Sequence, residues 1–503
     1  MPTHELQAVQ GDAPVNEGHA LALAWLASGP KKLLIGGEWA AAKSGKTFES
    51  FNPSTEGLLT RIAEADSLDV DAAVLAARTA FEAASWSGIT PHARTRALLK
   101  IAEAIDSHAQ ELAALESLDN GMPLWYAHAN VAAAGEVFRY YAGWPSKIFG
   151  ATNPTDPSAF NFTLREPMGV CGQITAWNVP LMMAAIKISN ALACGNTVIL
   201  KPAEQAPLST LRLAELIQET GLPPGVVNVL PGFGVTAGAA IAAHAGIDKI
   251  AFTGSTAVGK QILQASIGNL KKVTLELGGK SPNIIFPDAD LDKAVAAAVK
   301  SFCGNSGQVC SAGTRLFVHE SLHDEVAERI ATLAAGHKVG SPFAADTKLG
   351  PLVSAKQLER VLGYVEAGKE AGAVLRTGGR RVGSVGHFIE PTVFSDVGNT
   401  MKVAQEEIFG PVLSIIKFKD ENDAVLKANQ TQYGLAAAVW TRDISRAHTV
   451  AKRLSSGRVW INTYGEADPV MAFGGYKQSG VGREFGAESI EAYTQTKSVL
   501  VRF

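Results

Sequence analysis

Apolar residues recur along this chain with two different periods, and the change from one to the other marks its organisation. Residues 68–84 and 95–118 carry apolar positions at helical spacing and are rich in alanine, which predicts a helix over each. From 169 to 276 short apolar runs alternate with amphipathic stretches. Strands are expected over 170–176, 197–200, 226–230 and 249–252, with helices over 184–193, 208–220 and 236–243 between them and a further helix over 257–266. The alternation resumes beyond 280, with strands over 283–286, 316–318, 412–418, 436–440 and 459–462 and helices over 291–302, 322–333 and 355–371. Repeated strand–helix units predict parallel sheets covered on both faces, with a crevice at the strand carboxyl ends.

Three stretches depart from this pattern. Residues 1–17 read as loosely ordered and 21–27 as a short apolar helix, followed by a hairpin over 32–39 around Gly36-Gly37 and a turn at Phe51-Asn52-Pro53. Pro154 and Pro157 break any helix over 147–164, after which 159–164 alternates like a strand with one wet face. Residues 497–503 are also strand-like, so both segments are expected as edge strands that need covering by another element or another chain.

Composition narrows the class. A chain of 503 residues holds two or three domains, and 47% hydrophobic against 18% charged residues is ordinary globular material. The net charge of -3 and the lack of basic blocks speak against a nucleic-acid partner. No apolar run is long enough to span a bilayer, and the polar start lacks the pattern of a signal peptide or a mitochondrial presequence, so the cytoplasm is expected. Four cysteines make no disulfide framework and fit a reducing compartment. No histidine or cysteine cluster has metal-ligand spacing, so no metal is expected.

The candidate chemistry centres on residues 301–315. Gly304 and Gly307 precede Cys310 and Gly313 follows it, a setting that can hold a thiol at the bottom of a cleft as a nucleophile. A buried structural thiol is the other reading of that window. Cys171, Cys194 and Cys303 lack the same context and read as packing thiols. Glu276 lies among apolar residues beside Gly278-Gly279, where partial burial would raise its pKa into the range of a general base; an ion pair with a lysine is the alternative. Gly254-Ser255 follows a strand and opens a helix, so Ser255 could be a simple cap, or the free N–H groups there could receive a pyrophosphate. Gly232-Phe233-Gly234 with Gly238 is a weaker, differently spaced glycine run. Lys201 and Glu204 follow a buried strand; they form either a solvated pair or a site for ribose hydroxyls, where a carboxylate would repel a 2′-phosphate and favour NAD over NADP.

Six motifs occur together in order. Gly307-Gln308-x-Cys310 with Arg315 and Leu275-Glu276-Leu277-Gly278-Gly279-Lys280 resemble the catalytic-cysteine and general-base signatures of the NAD(P)-dependent aldehyde dehydrogenase superfamily. Trp177-Asn178-Val179-Pro180, Lys201-Pro202-Ala203-Glu204, Phe252-Thr253-Gly254-Ser255-Thr256 and Glu406-Glu407-Ile408-Phe409-Gly410-Pro411 resemble its other signatures, and the likeness runs from about residue 34 to 503. The resemblance implies an α/β fold with a Rossmann-type NAD-binding domain over 18–148 and 168–279. It further implies an α/β catalytic domain over 280–478 and a small β oligomerisation element over 149–167 and 487–503, serving a homo-oligomer, dimer or tetramer.

It also implies roles. Cys310 would attack the aldehyde, Asn178 would donate to the oxyanion together with the Cys310 backbone N–H, Glu276 would activate the hydrolytic water, and Lys187 would relay its proton. Ile174, Trp177, Lys201, Glu204, Gly234, Gly254, Ser255, Leu277, Glu407 and Phe409 would contact NAD, with NADP a weaker alternative; Glu407 would hold the nicotinamide ribose and Phe409 would pack near the ring. Glu276 favours release of a free acid, because CoA-acylating members generally lack that glutamate.

The substrate tunnel would be lined by Val179, Met182, Met183, Ile186, Gly304, Val309, Ala467 and Phe473. Val179, Ile186, Gly304 and Ala467 stand where the family often has aromatic rings, and the added volume favours an arylalkyl aldehyde such as phenylacetaldehyde. Glu466 and Asp468 speak instead for an ω-amino aldehyde, while betaine and medium-chain aliphatic aldehydes are further alternatives. A CoA-acylating enzyme and a catalytically silent structural or binding protein complete the readings; intact Cys310, Glu276 and Asn178 argue against the silent one.

Overall fold

The computed structural model describes residues 16–503, and the expectation for residues 1–15 lies outside them. Its centre is an eight-stranded sheet with the order Gly480–Val481, Lys272–Glu276, Lys249–Thr253, Val170–Ile174, Thr197–Lys201, Val227–Val229, Leu33–Ile35 and Glu38–Ala40. The five strands from Lys272–Glu276 to Val227–Val229 run parallel, and the edges are antiparallel. Val170–Ile174 comes first in the chain among those five; the next two strands add on one side of it and the following two on the other. The chain therefore reverses its direction of growth beside Val170–Ile174, the position where such sheets leave a crevice at their carboxyl ends.

A second sheet of seven strands has the order Val374–Thr377, Thr392–Ser395, Val412–Phe418, Arg315–His319, Pro282–Ile285, Ala436–Trp440 and Arg458–Ile461. It is parallel except for the Val374–Thr377 edge. The two sheets are joined by the run Leu277–Ser281, so the carboxyl end of one strand, Glu276, leads directly into the start of another, Pro282. A third sheet pairs Thr494–Arg502 with Ala159–Pro167, and Ala159–Pro167 with Thr152–Asn153. Its exposed apolar residues include Phe160, Leu164, Leu500 and Val501.

Both parallel sheets read as continuous apolar runs because both their faces are covered. The helix Pro180–Ala193 is buried along nearly its whole length between the first sheet and the helices Pro91–Ser107 and Leu124–Ala142. Each fully buried Leu or Ile in such a layer contributes about 1.5–3 kcal/mol.

Three predicted elements need correction. The helix expected over 95–118 is two helices, Pro91–Ser107 and Ala109–Asp119, because His108 leaves helical geometry (φ −112°, ψ 20°). Periodicity hides the break, since apolar residues continue across it. The loose segment expected to reach residue 17 ends earlier: the Asn16 side chain accepts from the His19 N–H at 2.8 Å and starts the helix Glu17–Ala27. The helix expected over 236–243 begins as a wide π-type turn, Gly234–Gly238, and only then continues as Ala239–Ala243. No helix among the described residues is long and apolar enough to cross a membrane.

Candidate active site

Each parallel sheet brings its own residues to the gap between them. Asn178 follows the strand Val170–Ile174, Gly254 and Ser255 follow Lys249–Thr253, and Glu276 ends Lys272–Glu276. From the second sheet, the loop before Arg315–His319 carries Cys310, and the loop before Val412–Phe418 carries Glu407 and Phe409. They meet in a cleft of about 420 Å³ whose walls include Trp177, Asn178, Gly254, Ser255, Glu276, Leu277, Cys310, Glu407 and Phe409.

Main chain rather than side chain sets this proximity. Asn305, Ser306 and Gly307 all take positive φ (47°, 54° and 75°), a run that turns the chain sharply just before Cys310. A side chain on Gly307 would strike the backbone of Gly410. A Cβ on Gly279 would stand 2.5 Å from the Cys310 carbonyl oxygen. These two glycines let the thiol loop lie directly against the segments that carry Glu276 and Glu407.

Asn178 is 4% exposed and firmly placed. Its amide Nδ2 donates to the Gln308 carbonyl at 3.0 Å, which uses one of its two N–H bonds and leaves the other. Its own carbonyl accepts from Asn305 Nδ2 at 2.7 Å. The Trp177 and Phe409 rings stand edge to face 5.1 Å apart.

The acids of the cleft differ in their support. Glu407 Oε1 accepts the Gly279 N–H at 3.0 Å, and burial still pushes its pKa up to about 7. Glu276 is 4% exposed and neither carboxylate oxygen has a hydrogen-bond partner. Burial first, and the nearby Glu484 second, push its pKa well above the ordinary carboxylate range. Burial, with Glu407 and Glu276 adding to it, pushes the Cys310 thiol up to about 12. Lys187 is fully buried and ion-paired with Glu484.

The arrangement suits a dinucleotide. The helix Thr256–Ala265 starts at the cleft with Ser255 as its cap, accepting the Val258 N–H at 3.3 Å. The first-turn N–H groups that a cap leaves unpaired point to where a phosphate binds. Thr253 Oγ1 is buried without a partner on the same wall. Lys201 Nζ donates to Glu204 at 3.1 Å, and Glu204 faces an adjoining cavity of about 380 Å³ that shares Gln205, Val353 and Ser354 with the cleft. Among the described residues no group of histidine, cysteine and acidic side chains could hold a metal ion.

A family profile for the aldehyde dehydrogenase family matches residues 39–499. The chain belongs to that family. It is 51% identical over 474 residues to an aldehyde dehydrogenase of Aspergillus niger, spanning 94% of this chain and 95% of the relative. It is 49% identical to human retinal dehydrogenase 2, spanning 94% and 92%. Among solved structures, an NAD+ complex of an aldehyde dehydrogenase from Bacillus cereus superposes with a TM-score of 0.94 at 48% identity, covering 96% of this chain and 98% of that one. A betaine aldehyde dehydrogenase from Staphylococcus aureus in complex with NAD+ superposes with a TM-score of 0.95 at 38% identity, covering 96% and 97%. The mixed α/β fold expected from the motifs is thus that of the family's solved structures.

Other residues singled out from the sequence lie outside the cleft walls. Ile174 is buried in the first sheet, and Gly234 is exposed at the start of its π-type turn. Met182 and Ala467 come together at a second cavity of about 450 Å³, with Tyr140, Phe485, Glu136 and Asp468 among its other walls. Val179, Met183, Ile186, Gly304, Val309 and Phe473 line neither cavity, and Ile186, 2% exposed, packs in the core. Glu466 turns back on its own loop, where Thr463 Oγ1 donates to it at 2.7 Å, so of the two acids in that loop only Asp468 faces the second cavity.

Sequence reading missed Glu484, Tyr140 and Phe485. Glu484 carried a signal, an acid between Gly482 and Gly486, but only the antiparallel return of Gly480–Val481 to the edge strand Lys272–Glu276 brings it to Lys187 and Glu276.

Proposed function

We propose that this enzyme oxidises an aldehyde to its carboxylic acid with NAD, through a thiohemiacetal and then a thioester on Cys310. The observation that supports this most directly is the convergence of Cys310, Asn178, Glu276 and Glu407 on one cleft that begins at a helix N-terminus. NAD, when bound, supplies the hydride acceptor.

Cys310 adds to the carbonyl carbon, and the oxygen that becomes negative is met by the free Asn178 N–H. Donors placed in advance at a developing charge are worth about 2.7–4 kcal/mol each. Glu276 takes the proton of the thiol and later that of the water that cleaves the thioester; its burial makes it a stronger base than an exposed glutamate. The Lys187–Glu484 pair lies next to it as a path for that proton. Glu407 and Phe409 hold the nicotinamide end, the Thr256–Ala265 helix start and Ser255 hold the pyrophosphate, and Lys201 and Glu204 hold the adenosine ribose. The presence of Glu276 favours a free acid over transfer to CoA.

For the substrate, the small Ala467 on the wall of the second cavity supports an arylalkyl aldehyde such as phenylacetaldehyde. A second reading, an ω-amino aldehyde, is favoured by Asp468 and Glu136 on the walls of the second cavity. The two-sheet layout supports a division into an NAD-binding domain over 18–148 and 168–279 and a catalytic domain over 280–478. The exposed apolar residues on the third sheet support a homo-oligomer joined through 149–167 and 487–503, and the free cysteines fit the cytoplasm.

NADH formation across acetaldehyde, hexanal, phenylacetaldehyde, benzaldehyde, betaine aldehyde and 3-aminopropanal, each with NAD and with NADP, tests the proposal. Highest kcat/KM for phenylacetaldehyde with NAD supports the arylalkyl reading, and highest for 3-aminopropanal transfers it to the second. No turnover with any of them, in protein that still binds NAD, would overturn it.

A further inference from the structure

Glu116, Asp119 and Asn120, at the end of the helix Ala109–Asp119, do not themselves line the cleft, yet they grip the chain on both sides of Asn178. Asn120 Nδ2 donates to the Trp177 carbonyl at 2.7 Å. Glu116 Oε1 accepts the Leu181 N–H at 3.2 Å, which is one of the unpaired donors at the start of the helix Pro180–Ala193. The same oxygen accepts from Ser209 Oγ, and Asp119 Oδ2 accepts the Leu208 N–H at 2.8 Å. Both of these partners open the helix Leu208–Glu219, which follows the Lys201–Glu204 loop.

All three side chains are buried, at 1%, 2% and 0% exposure for Glu116, Asp119 and Asn120. Gly121 then turns away with φ +86°, in a space where a Cβ would meet Pro351 Cγ at 2.6 Å. Asn120 Oδ1 and Glu116 Oε2 are left without partners, so the protein keeps two buried polar side chains only half satisfied. Burying a polar group without a full set of partners is costly, and removing either side chain would in turn orphan the Trp177 carbonyl or the Leu181 N–H. What the two side chains hold is the backbone one residue before and three residues after Asn178.

We infer that Asn120 and Glu116 are positioning residues for Asn178, fixing the 177–181 turn so that its free N–H stands where the substrate oxygen becomes negative. This rests on the reading of Asn178 as the oxyanion donor. Asn120 fixes the entry to the turn and Glu116 its exit, while Asn305 and Gln308 fix Asn178 itself from the thiol loop. A small displacement of such a donor is expensive in rate: about 1 Å of misplacement costs up to on the order of 100-fold.

A double-mutant cycle tests the inference on the full-length enzyme. Asn120→Ala is expected to lower kcat about tenfold with little change in the Kd for NAD, and to have less than about a twofold effect when Asn178 is already Ala, because residues acting as a unit are not additive. Glu116→Gln keeps an acceptor oxygen and is expected to recover most of what Glu116→Ala loses. Thermal denaturation of each variant confirms folding, and the Glu116 pair provides the answer if Asn120→Ala does not fold. If Asn120→Ala costs the same factor in both backgrounds, or nothing in either, or if Glu116→Gln loses as much as Glu116→Ala, the inference fails. If Asn178→Ala itself leaves kcat intact, it is the oxyanion reading that fails.

Discussion

The cleft beside Cys310 and the cavity at Met182 and Ala467 are close in volume, about 420 and 450 Å³, but they are built from different material. The first is made by strand ends, a helix start and glycines that let backbones touch. The second is made by side chains, Tyr140, Phe485, Met182 and two acids, some of them on the loop after Arg458–Ile461. In the first, a residue's place is fixed by the sheet it ends. In the second, it is fixed by volume and charge. On the proposed roles, reaction and substrate choice occupy separable parts of the molecule, the first built on backbone and the second on side chains.

The largest effect that sharpens the contrast belongs to the part built on backbone. Cys310→Ala is expected to lower aldehyde oxidation by on the order of 10⁴-fold or more, with NAD binding followed by tryptophan quenching unchanged. Residual turnover within tenfold of the parent would place the nucleophile elsewhere.

Next comes the proton. Glu276 must lose its proton to act as a base, and burial with Glu484 raises its pKa, so kcat is expected to rise with pH through the neutral and alkaline range. Glu484→Gln removes the second of those causes and frees the Lys187 charge, and both changes shift the pH–rate profile to lower pH. A shift to higher pH would show that Glu484 supports Glu276 in another way.

The part built on side chains gives smaller, selective effects. Ala467→Phe is expected to reduce kcat/KM for phenylacetaldehyde about tenfold while leaving acetaldehyde near its starting value. An equal loss for both would mean that the loop reaches the chemistry and that the two regions are not separable. Smallest is Asp468→Asn, expected to raise KM for 3-aminopropanal about threefold at low ionic strength, an effect that salt removes from the parent as well. No change would take Asp468 out of substrate recognition.

The same contrast explains what the sequence made legible. The alternation over 169–276 and the glycine settings of Glu276 and Cys310 are local, so their elements were readable in advance, whereas their shared site was an expectation from the family resemblance. His108 was not, because the apolar spacing continues through the break it makes. Asn120, Glu116 and Glu484 act across long chain separations, and their partners are decided by which helix or strand lies beside them. Ile186 shows the limit of reasoning from side-chain volume: a small residue in the place of a ring opens space only if it faces the tunnel, and this one faces the core.

Gly279 and Gly307 have a consequence for anyone who would redesign the enzyme. A single added methyl group at either position forces apart the segments that carry thiol and acids, so neither tolerates variation in a mutant library. Ala467, by contrast, is exposed on the wall of the second cavity. Randomising the mouth while freezing the two glycines would confine the search to catalysts that differ only in what they accept.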